Sequence, residues 1–267
     1  MHDWERPGRR TVAVTDADRL WGQTRAFQRK VERALEVIAA SVPPVGVAFS
    51  GGKDSTVALH LTRRVFPDAA AGFYDSGAEL RQTYEFIART PNVQIIPAEG
   101  GGLIELCRQN GYWGREPLSD HPHRVNFDAA LVWKPAERFI RQNGLATVVL
   151  GLRAGESFAR LMNASRNGLR YITDSMRKRL GYYIYHLCPL QWWTEDDVWA
   201  YIAVNGLDFN EAYDRMTELG IPRKAQRIGP VMGTDAASLG RLVWLRMIDP
   251  ELWNRLSGEF PLLRKYG

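Results

Sequence analysis

Residues 50–55 combine glycines, hydroxyls and a cation in a pattern that suits the binding of phosphate. They read Ser-Gly-Gly-Lys-Asp-Ser. The glycines permit positive φ and allow backbone N–H groups to approach an anion closely. The serines at positions 50 and 55 add hydroxyl donors, and Lys53 adds a positive charge. This composition predicts a loop that cradles phosphate.

The elements around this loop predict how it is held. Residues 45–49 form a β-branched and aromatic run, typical of a buried parallel strand, and apolar residues from position 57 to position 65 recur at helical spacing. The loop would therefore lie at a helix N-terminus, which favours anions. A Walker A loop does not fit, because it would need glycine where this chain has Val47 and Ser or Thr where it has Asp54. A plain Gly-Gly turn is the remaining alternative.

The stretch 45–56 resembles the PP-loop of the ATP pyrophosphatase superfamily, whose pattern is Ser-Gly-Gly-x-Asp-Ser. The resemblance implies that ATP and Mg²⁺ bind and that ATP is cleaved between its α- and β-phosphates, giving an adenylate and pyrophosphate. It implies that Lys53 neutralises the leaving pyrophosphate and that Asp54 starts the helix and contacts Mg²⁺ through water. The groups implied to hold the β- and γ-phosphates are Ser50, Gly51, Gly52 and Ser55, and those implied to contact adenine are the backbones of Ala48, Phe49 and Tyr74.

Further strands and helices alternate along the chain. Strands are predicted at 69–74, 93–96, 146–150 and 184–187, and helices at 17–40, 79–89, 129–142, 194–204 and, interrupted by Asp249-Pro250, at 236–256. Residues 97–126 are predicted to be irregular. This alternation predicts an α/β fold with a doubly wound, mostly parallel sheet and helices on both faces. Ligands bind at the carboxyl ends of such strands, where the polar clusters 50–55, 75–77 and 151–160 fall.

The second cluster, Asp75-Ser76-Gly77, is by itself typical of a turn. Together with Gln-Thr-Tyr-Glu-Phe at 82–86 it resembles a segment of the phosphoadenosine phosphosulfate (PAPS) reductase family. That family usually has Phe-Pro-Glu before the Thr, where this chain has Leu-Arg-Gln. The departure leaves any role of the family's glutamate in doubt.

The third cluster carries Arg153, Glu156 and Arg160. Arginine forks match phosphate or sulfate oxygens, and a carboxylate can orient an arginine or hold Mg²⁺; a solvated charged loop is the alternative. The cluster resembles the Gly-Ile/Leu-Arg-x-x-Glu-Ser-x-x-Arg motif of PAPS-reductase-like proteins, which include the small subunit of ATP sulfurylase and the ATP pyrophosphatases of DNA phosphorothioation. The resemblance implies that Arg153 and Arg160 bind the second substrate or the α-phosphate. The other residues assigned to the nucleotide site are Asp75, Ser76, Gly151 and Glu156.

The cysteines depart from the family pattern. PAPS reductases use a cysteine nucleophile near the C-terminus, since attack on sulfur needs a thiolate. The chain has only Cys107 and Cys188, and Cys188, next to a proline, is interpreted as a small buried hydrophobe. Residues 227–233 keep the frame of the relatives' Arg-x-Gly-Cys-x-x-Cys but place Pro230 and Gly233 at the cysteine positions. The sequence therefore indicates a PAPS-reductase-like protein that lacks both the reductase cysteine and an iron–sulfur cluster.

Length and composition set broader limits. The chain has 267 residues, 45% of them hydrophobic and 24% charged, as in ordinary globular domains. The net charge of +5 fits an anionic ligand, either a nucleotide or a nucleic acid. No membrane helix or signal peptide is predicted, and the cytoplasm is the expected compartment. The expected division is a flexible lead-in at 1–16, a nucleotide-binding domain at 17–215 and a helical extension at 216–267 packed on it.

Two further groups of residues have open interpretations. His121 and His123, with Asp120, are metal-ligand types in a polar loop where solvation is the alternative, so no metal site is predicted. A basic stretch comprises Arg166, Arg170 and 177–179, followed by tyrosines at 182, 183 and 185. It suits either a nucleic acid backbone with stacked bases or an exposed helix face and a sheet strand.

The sequence thus predicts an ATP pyrophosphatase that activates an acceptor in sulfur metabolism or in sulfur modification of DNA. Alternatives are the sulfate-adenylating subunit of ATP sulfurylase, another PAPS-reductase-like protein, and a non-catalytic ATP-sensing subunit. Because the chain lacks a thiol suited to carry sulfur, a cysteine desulfurase or a carrier protein is the expected partner. DNA contact and a homo-oligomer remain open.

Overall fold

Six strands form one sheet in the computed structural model, which describes residues 11–110, 126–229 and 236–265. The strands are β1 (Val45–Ala48), β2 (Ala70–Asp75), β3 (Val93–Pro97), β4 (Thr147–Leu150), β5 (Arg170–Tyr171) and β6 (Tyr185–Leu187). Their spatial order is β3-β2-β1-β4-β6-β5, and every neighbouring pair is parallel except β5 with β6. The predicted α/β class with a mostly parallel sheet is confirmed.

Helices connect the strands, and further helices come after the last strand along the chain. The α-helices of the described residues are α1 (Asp16–Gly22), α2 (Arg25–Ala39), α3 (Lys53–Val65), α4 (Arg81–Arg89), α5 (Gly102–Gln109), α6 (Lys134–Gln142), α7 (Phe158–Asn167), α8 (Asp174–Leu180), α9 (Glu195–Asn205), α10 (Ala212–Glu218), α11 (Ala236–Ile248) and α12 (Pro250–Glu259). A π-helical turn, Ala129–Trp133, leads directly into α6.

The strand order reverses direction at β1. From β1 the chain proceeds to β2 and β3 on one side, and then crosses to β4 on the other side. In the register, Val47 of β1 lies opposite Ala71 of β2 and Val149 of β4. The carboxyl ends of β1 and β4 therefore flank the topological switch point, where open α/β sheets bind their ligands.

Two hydrophobic clusters cover the two faces of the sheet, because alternate strand residues point to opposite sides. Val47 and Val149 belong to the larger cluster, which includes residues of α2, α3 and α9. Val148 belongs to the smaller cluster, which includes residues of α6 and α8. Helices thus lie on both faces, as predicted, and α2 and α8 lie on opposite ones.

Some predicted elements were wrong. The single helix predicted at 17–40 is two helices, because Thr24 caps a new helix by accepting a hydrogen bond from the backbone of Phe27. The irregular segment expected at 97–126 contains α5, which begins after Gly101 in a left-handed conformation. Elements α7, β5, α8 and α10 were not predicted.

The predicted division of the chain stays a prediction. Residues 1–10 lie outside the described part; residues 11–13 contact Asp214, which accepts hydrogen bonds from Thr11, Val12 and Ala13. Beyond α10, the carbonyl of Ile248 in α11 accepts a hydrogen bond from a side chain of α4. The interpretations placed on His121 and His123, and on 230–233, lie outside the described residues. Among the helices that the structure does describe, none is long and apolar enough to cross a membrane.

Candidate functional site

The loop after β1 has the geometry of an anion cradle. Gly51 adopts φ +71°, a conformation that side chains rarely allow. The Ser55 hydroxyl accepts a hydrogen bond from the backbone of Ser50 at 3.2 Å and donates to the carbonyl of Gly52 at 2.9 Å, which fixes the turn. Gly52 is the N-cap of α3 and makes no side-chain capping bond. The N-cap residue therefore leaves the positive end of the helix open to an anion, although one N–H of the first turn, that of Lys53, donates to the Tyr213 hydroxyl.

Lys53 is held beneath this loop by three neighbouring side chains. It is 2% exposed, and its Nζ lies 3.0 Å from Asp54, 3.3 Å from Glu195 and 5.5 Å from the ring centroid of Tyr213. Burial alone would lower the pKa of Lys53, but Tyr213, Asp54 and Glu195 oppose it and the pKa is raised above its ordinary value. The ammonium therefore stays charged at neutral pH.

The loop after β4 is joined to the first turn of α3 by an ion pair. Arg153 Nε contacts Asp54 Oδ1, while the backbone N–H of Arg153 donates to Glu156 at 2.9 Å and Arg160 pairs with the same carboxylate. Burial would raise the pKa of Asp54, but Lys53 and Arg153 outweigh it and the pKa is lowered. Asp54 is therefore an anion held between two cations.

Gly151 lets the two loops approach this closely. A Cβ atom at position 151 would lie 2.7 Å from the backbone nitrogen of Ser55 and 2.8 Å from the carbonyl carbon of Asp54. Backbone atoms cannot move aside as a flexible side chain can. A glycine at the end of β4 is thus required for the observed packing against α3.

The end of β2 brings a second carboxylate to the site. Glu79 is 7% exposed and accepts a 2.6 Å hydrogen bond from the Ser76 hydroxyl. Burial raises the pKa of Glu79 to about 7, with the nearby charge of Asp75 adding to the rise and the Ser76 hydrogen bond opposing it. Asp75 itself accepts hydrogen bonds from the Tyr84 hydroxyl and the backbone of Gly77.

A cavity of about 670 Å³ opens between these loops, a volume in the range of small-molecule sites. One end has the phosphate cradle, and the other has apolar walls from β2, β4, α6 and α8. The predicted residues that line it are Ala48, Phe49, Ser50, Gly52, Lys53, Asp54, Ser55, Tyr74, Ser76, Gly151, Glu156 and Arg160. Three predicted residues, Gly51, Asp75 and Arg153, do not line it.

Other lining residues were not assigned to the site from the sequence. Glu79, Trp133, His186, Tyr213 and Arg227 are among them. Tyr213 is 160 positions from Lys53, whose backbone N–H donates to its hydroxyl at 3.2 Å, so no local pattern reveals the contact.

Neither cysteine of the chain is placed for nucleophilic chemistry. Cys107 and Cys188 are both buried, and neither lines the cavity. Burial raises the pKa of Cys107 to about 12 and that of Cys188 to about 11, the latter against the opposing effects of Tyr171 and Arg160. Both thiols are therefore protonated at neutral pH and unsuited to attack an electrophile.

The residues present do not form a ready magnesium site. Within 11–110, 126–229 and 236–265, no three His, Cys, Asp or Glu side chains cluster as metal ligands would. Asp54, the expected contact through water, is already paired with Lys53 and Arg153. The described residues therefore offer no ligand set for a protein-bound metal.

Comparison with known proteins agrees with this architecture. An uncharacterized protein of Methanocaldococcus jannaschii is 25% identical, over 79% of this chain and 46% of its own length. The adenosine 5'-phosphosulfate reductase of Lysinibacillus sphaericus is 28% identical, over 68% of this chain and 75% of its own. The crystal structure of PAPS reductase from Candida auris in a phosphate complex has a TM-score of 0.52 at 19% identity, covering 79% of this chain and 98% of that one, which shows a shared fold.

The chain spans about half of the length of the first relatives that it matches, with shares of 46%, 60% and 42%. The family assignment rests instead on a match that covers most of this chain. The family model described as phosphoadenosine phosphosulfate reductase domain matches residues 44–236, which includes all six strands and the loops after β1, β2 and β4. The chain belongs to the phosphoadenosine phosphosulfate reductase domain family.

Proposed function

We propose that the protein is an ATP pyrophosphatase, which cleaves ATP between the α- and β-phosphates to activate an acceptor. The observation that carries this proposal is the Ser50–Ser55 cradle at the N-terminus of α3, with the buried charge of Lys53 beneath it, opening into a cavity of nucleotide size at the switch point of the sheet. The relative named adenosine 5'-phosphosulfate reductase supports an adenine nucleotide as the ligand.

The reaction follows from the arrangement of charge. An oxygen of the acceptor forms a bond to the α-phosphorus, and the bond from that phosphorus to the bridging oxygen breaks. Pyrophosphate leaves with the electron pair, and any proton on the acceptor oxygen passes to solvent. Lys53 and the N–H groups of α3 stabilise the charge that develops on pyrophosphate, so that catalysis is mostly positioning and electrostatics.

The adenosine would lie at the apolar end of the cavity, beside Tyr74 and Leu150. Arg160 also lines the cavity and would meet the acceptor or the α-phosphate. Arg153 has a different task, because it is 5% exposed and engaged by Asp54: it fixes the loop after β4 against α3. Mg²⁺ would arrive with the nucleotide, held by phosphate oxygens and water.

The setting that we propose is sulfur transfer, in which adenylation activates an oxygen for replacement by sulfur. Because both thiols of the chain are buried and protonated, the sulfur would come from a separate protein, such as a cysteine desulfurase or a sulfur carrier. The acceptor would be sulfate, another small oxyanion, or a nucleic acid such as DNA.

The test incubates the protein with Mg²⁺ and [α-³²P]ATP, alone and with sulfate or single-stranded oligonucleotides, and separates the labelled products. AMP or an adenylate with equimolar pyrophosphate supports the proposal, and pyrophosphate exchange that requires sulfate would identify a sulfate-adenylating enzyme. Release of ADP would overturn it, and ATP that binds without turnover under every condition would indicate a sensor instead.

Variants connect the activity to the cradle. Lys53→Met keeps the side-chain volume and is expected to lower the rate of AMP formation by about 100-fold or more, as for the loss of one buried transition-state contact. The exposed Lys265→Ala is the matched control, with an unchanged rate. Ser50→Ala, at an exposed position, supplies a second variant whose folding does not depend on a buried charge. Unfolding temperatures report whether each variant is folded.

A further inference from the structure

The net charge of the protein is concentrated in one short segment. Residues 158–185 contain six of the 35 Lys and Arg residues and one of the 30 Asp and Glu residues. This surplus of five equals the net charge of the whole chain, +5, so the rest of the chain has equal numbers of basic and acidic residues. The basic residues are Arg160, Arg166, Arg170, Arg177, Lys178 and Arg179. A basic patch on a neutral background is the electrostatic footprint of a polyanion site.

These basic side chains lie on α7, β5 and α8. Arg166, Arg170 and Lys178 are exposed, and no carboxylate of the described residues lies within ion-pair distance of them. Arg160 and Arg177 are paired with Glu156 and Asp174, but their side chains remain 41% and 40% exposed. All five of these basic side chains therefore reach solvent, and three of them do so without a carboxylate partner among the described residues.

Aromatic side chains are interleaved with this charge. Phe158 is 78% exposed, Tyr183 60%, and Tyr182 and Trp133 are 39% each; in the parts of the chain that the structure describes, the one other aromatic residue among the exposed large hydrophobics is Trp192. The guanidinium of Arg177 lies 5.5 Å from the ring centroid of Tyr183, and that of Arg179 lies 5.6 Å from Trp133. Exposed rings beside arginines form the kind of platform on which unpaired bases stack.

This surface is continuous with the cavity. Arg160, Arg179 and Trp133 line the cavity, and Arg160 and Arg179 also belong to the basic segment. A flexible strand that lies across α7 and α8 can therefore place one of its own groups at the cavity mouth. A flat membrane surface cannot reach into the cavity in that way, and an acidic protein segment does not account for the exposed rings.

We propose that this basic–aromatic surface, formed by residues 158–185 and Trp133, binds a single-stranded nucleic acid and presents it as the acceptor. The role as acceptor rests on the proposed ATP pyrophosphatase function, whereas the binding itself does not. The phosphates meet the arginines and Lys178, and the unpaired bases stack on Phe158, Tyr183 and Trp133.

The test measures the binding of a fluorescein-labelled 12-nucleotide strand by fluorescence anisotropy, in the absence of ATP, between 50 and 200 mM salt. DNA and RNA of one sequence, and the corresponding duplex, are compared. If four phosphates are neutralised, affinity should fall about 50-fold over this range for a single strand. Binding that is insensitive to salt, or no tighter for single strands than for the duplex, would overturn the proposal.

Charge reversal locates the site. Arg166→Glu with Lys178→Glu is expected to weaken binding by about tenfold or more and to reduce the salt slope by about 1.4, from 0.7 per phosphate contact. Arg25→Glu with Arg29→Glu is the matched control, since it makes the same change of charge on exposed positions of α2, which packs against the opposite face of the sheet. The control should bind within twofold of the wild type, and equal losses for both pairs would contradict a localised site.

Two further arms complete the test. Tyr183→Ala should weaken binding without changing the salt slope, because stacking does not release counterions. Vesicles containing phosphatidylserine and a poly-glutamate peptide represent a membrane and an acidic protein; binding to either of them in preference to the strand would overturn the proposal. Lys53→Met should bind the strand normally, so failure of ATP cleavage and failure of strand binding are distinguishable.

Discussion

Replacing Glu79 with glutamine is expected to raise the free energy of unfolding at pH 8 and to change it little near pH 4. Glu79 lines the cavity, is 7% exposed and accepts a hydrogen bond from Ser76. An amide has nearly the same shape as a protonated carboxyl group and can accept that bond. The substitution therefore removes the ability to ionise while keeping the packing.

The magnitude follows from the difference between the folded and unfolded states. Burial raises the pKa of Glu79 from 4.5 to about 7. Between these values the folded state holds a proton that the unfolded state releases, so the free energy of unfolding falls as the pH rises and levels off above 7. At 1.36 kcal/mol for each unit of pKa, the full loss is about 3 kcal/mol. Glutamine does not titrate and escapes this loss.

Urea denaturation, followed by tryptophan fluorescence at pH 5, 6, 7 and 8, measures the effect. The difference in unfolding free energy between Glu79→Gln and the wild type should grow by about 2 to 3 kcal/mol from pH 5 to pH 8. Glu32→Gln, at an exposed position of α2, is the matched control and should give a constant difference near zero. A Glu79→Gln difference that does not depend on pH would refute the reasoning, because the carboxyl would then ionise as readily in the folded state as in the unfolded one.

Three other predictions concern the fold around the site. Gly151→Ala forces a Cβ to 2.7 Å from the backbone of α3 and should destabilise the protein by about 1–3 kcal/mol in thermal or chemical unfolding, whereas Gly155→Ala, which has open space around it, should not. Asp197→Ala should cost about 2–4 kcal/mol, since it removes a helix cap and the charge-assisted hydrogen bonds from Trp21 and from the half-exposed Lys30. Burial would raise the pKa of Asp197, but its hydrogen bonds outweigh burial and lower the pKa, so the contribution of Asp197 to stability is lost as the pH falls below 3.8. An unchanged melting temperature at pH 7 would contradict the assignment. Cys107 and Cys188 should resist thiol reagents at pH 8 until the protein unfolds, and fast labelling of the native protein would refute their burial.

The parts of the fold and site that the sequence predicted are those encoded by contiguous residues. The strand β1, the loop 50–55 and the start of α3 follow one another within about twenty positions, and a buried strand, a glycine turn and a helical period are each local signals. The helix predicted from position 194 is present for the same reason, and Thr194 begins it with a capping box that includes Asp197. Because the strands were predicted to be parallel, the carboxyl ends of β1, β2 and β4 were expected at the same edge of the sheet.

The parts that escaped prediction depend on contacts between distant residues. Glu195 and Tyr213 meet Lys53 only after the chain has folded, and the pairing of Arg153 with Asp54 joins positions 99 apart. Helix α7 was missed although Phe158, Leu161 and Met162 recur at helical spacing; in the structure these three side chains are exposed, and Ala164 is the one residue of the helix that is buried.

The charges in the cavity are held in place before any ligand arrives. Lys53 is buried and paired with the largely buried Asp54, and Arg153 holds Asp54 from the other side, so most of the cost of desolvating these groups belongs to folding rather than to binding. A phosphate group that enters the cradle would meet a fixed ammonium and the N-terminus of α3, where Gly52 supplies no side-chain cap, with no need to reorganise the ammonium. Arg160 and Arg179, by contrast, are in partial contact with solvent at the mouth of the cavity. The rigid interior therefore suits the nucleotide, and the exposed rim suits a second, larger and more variable anion.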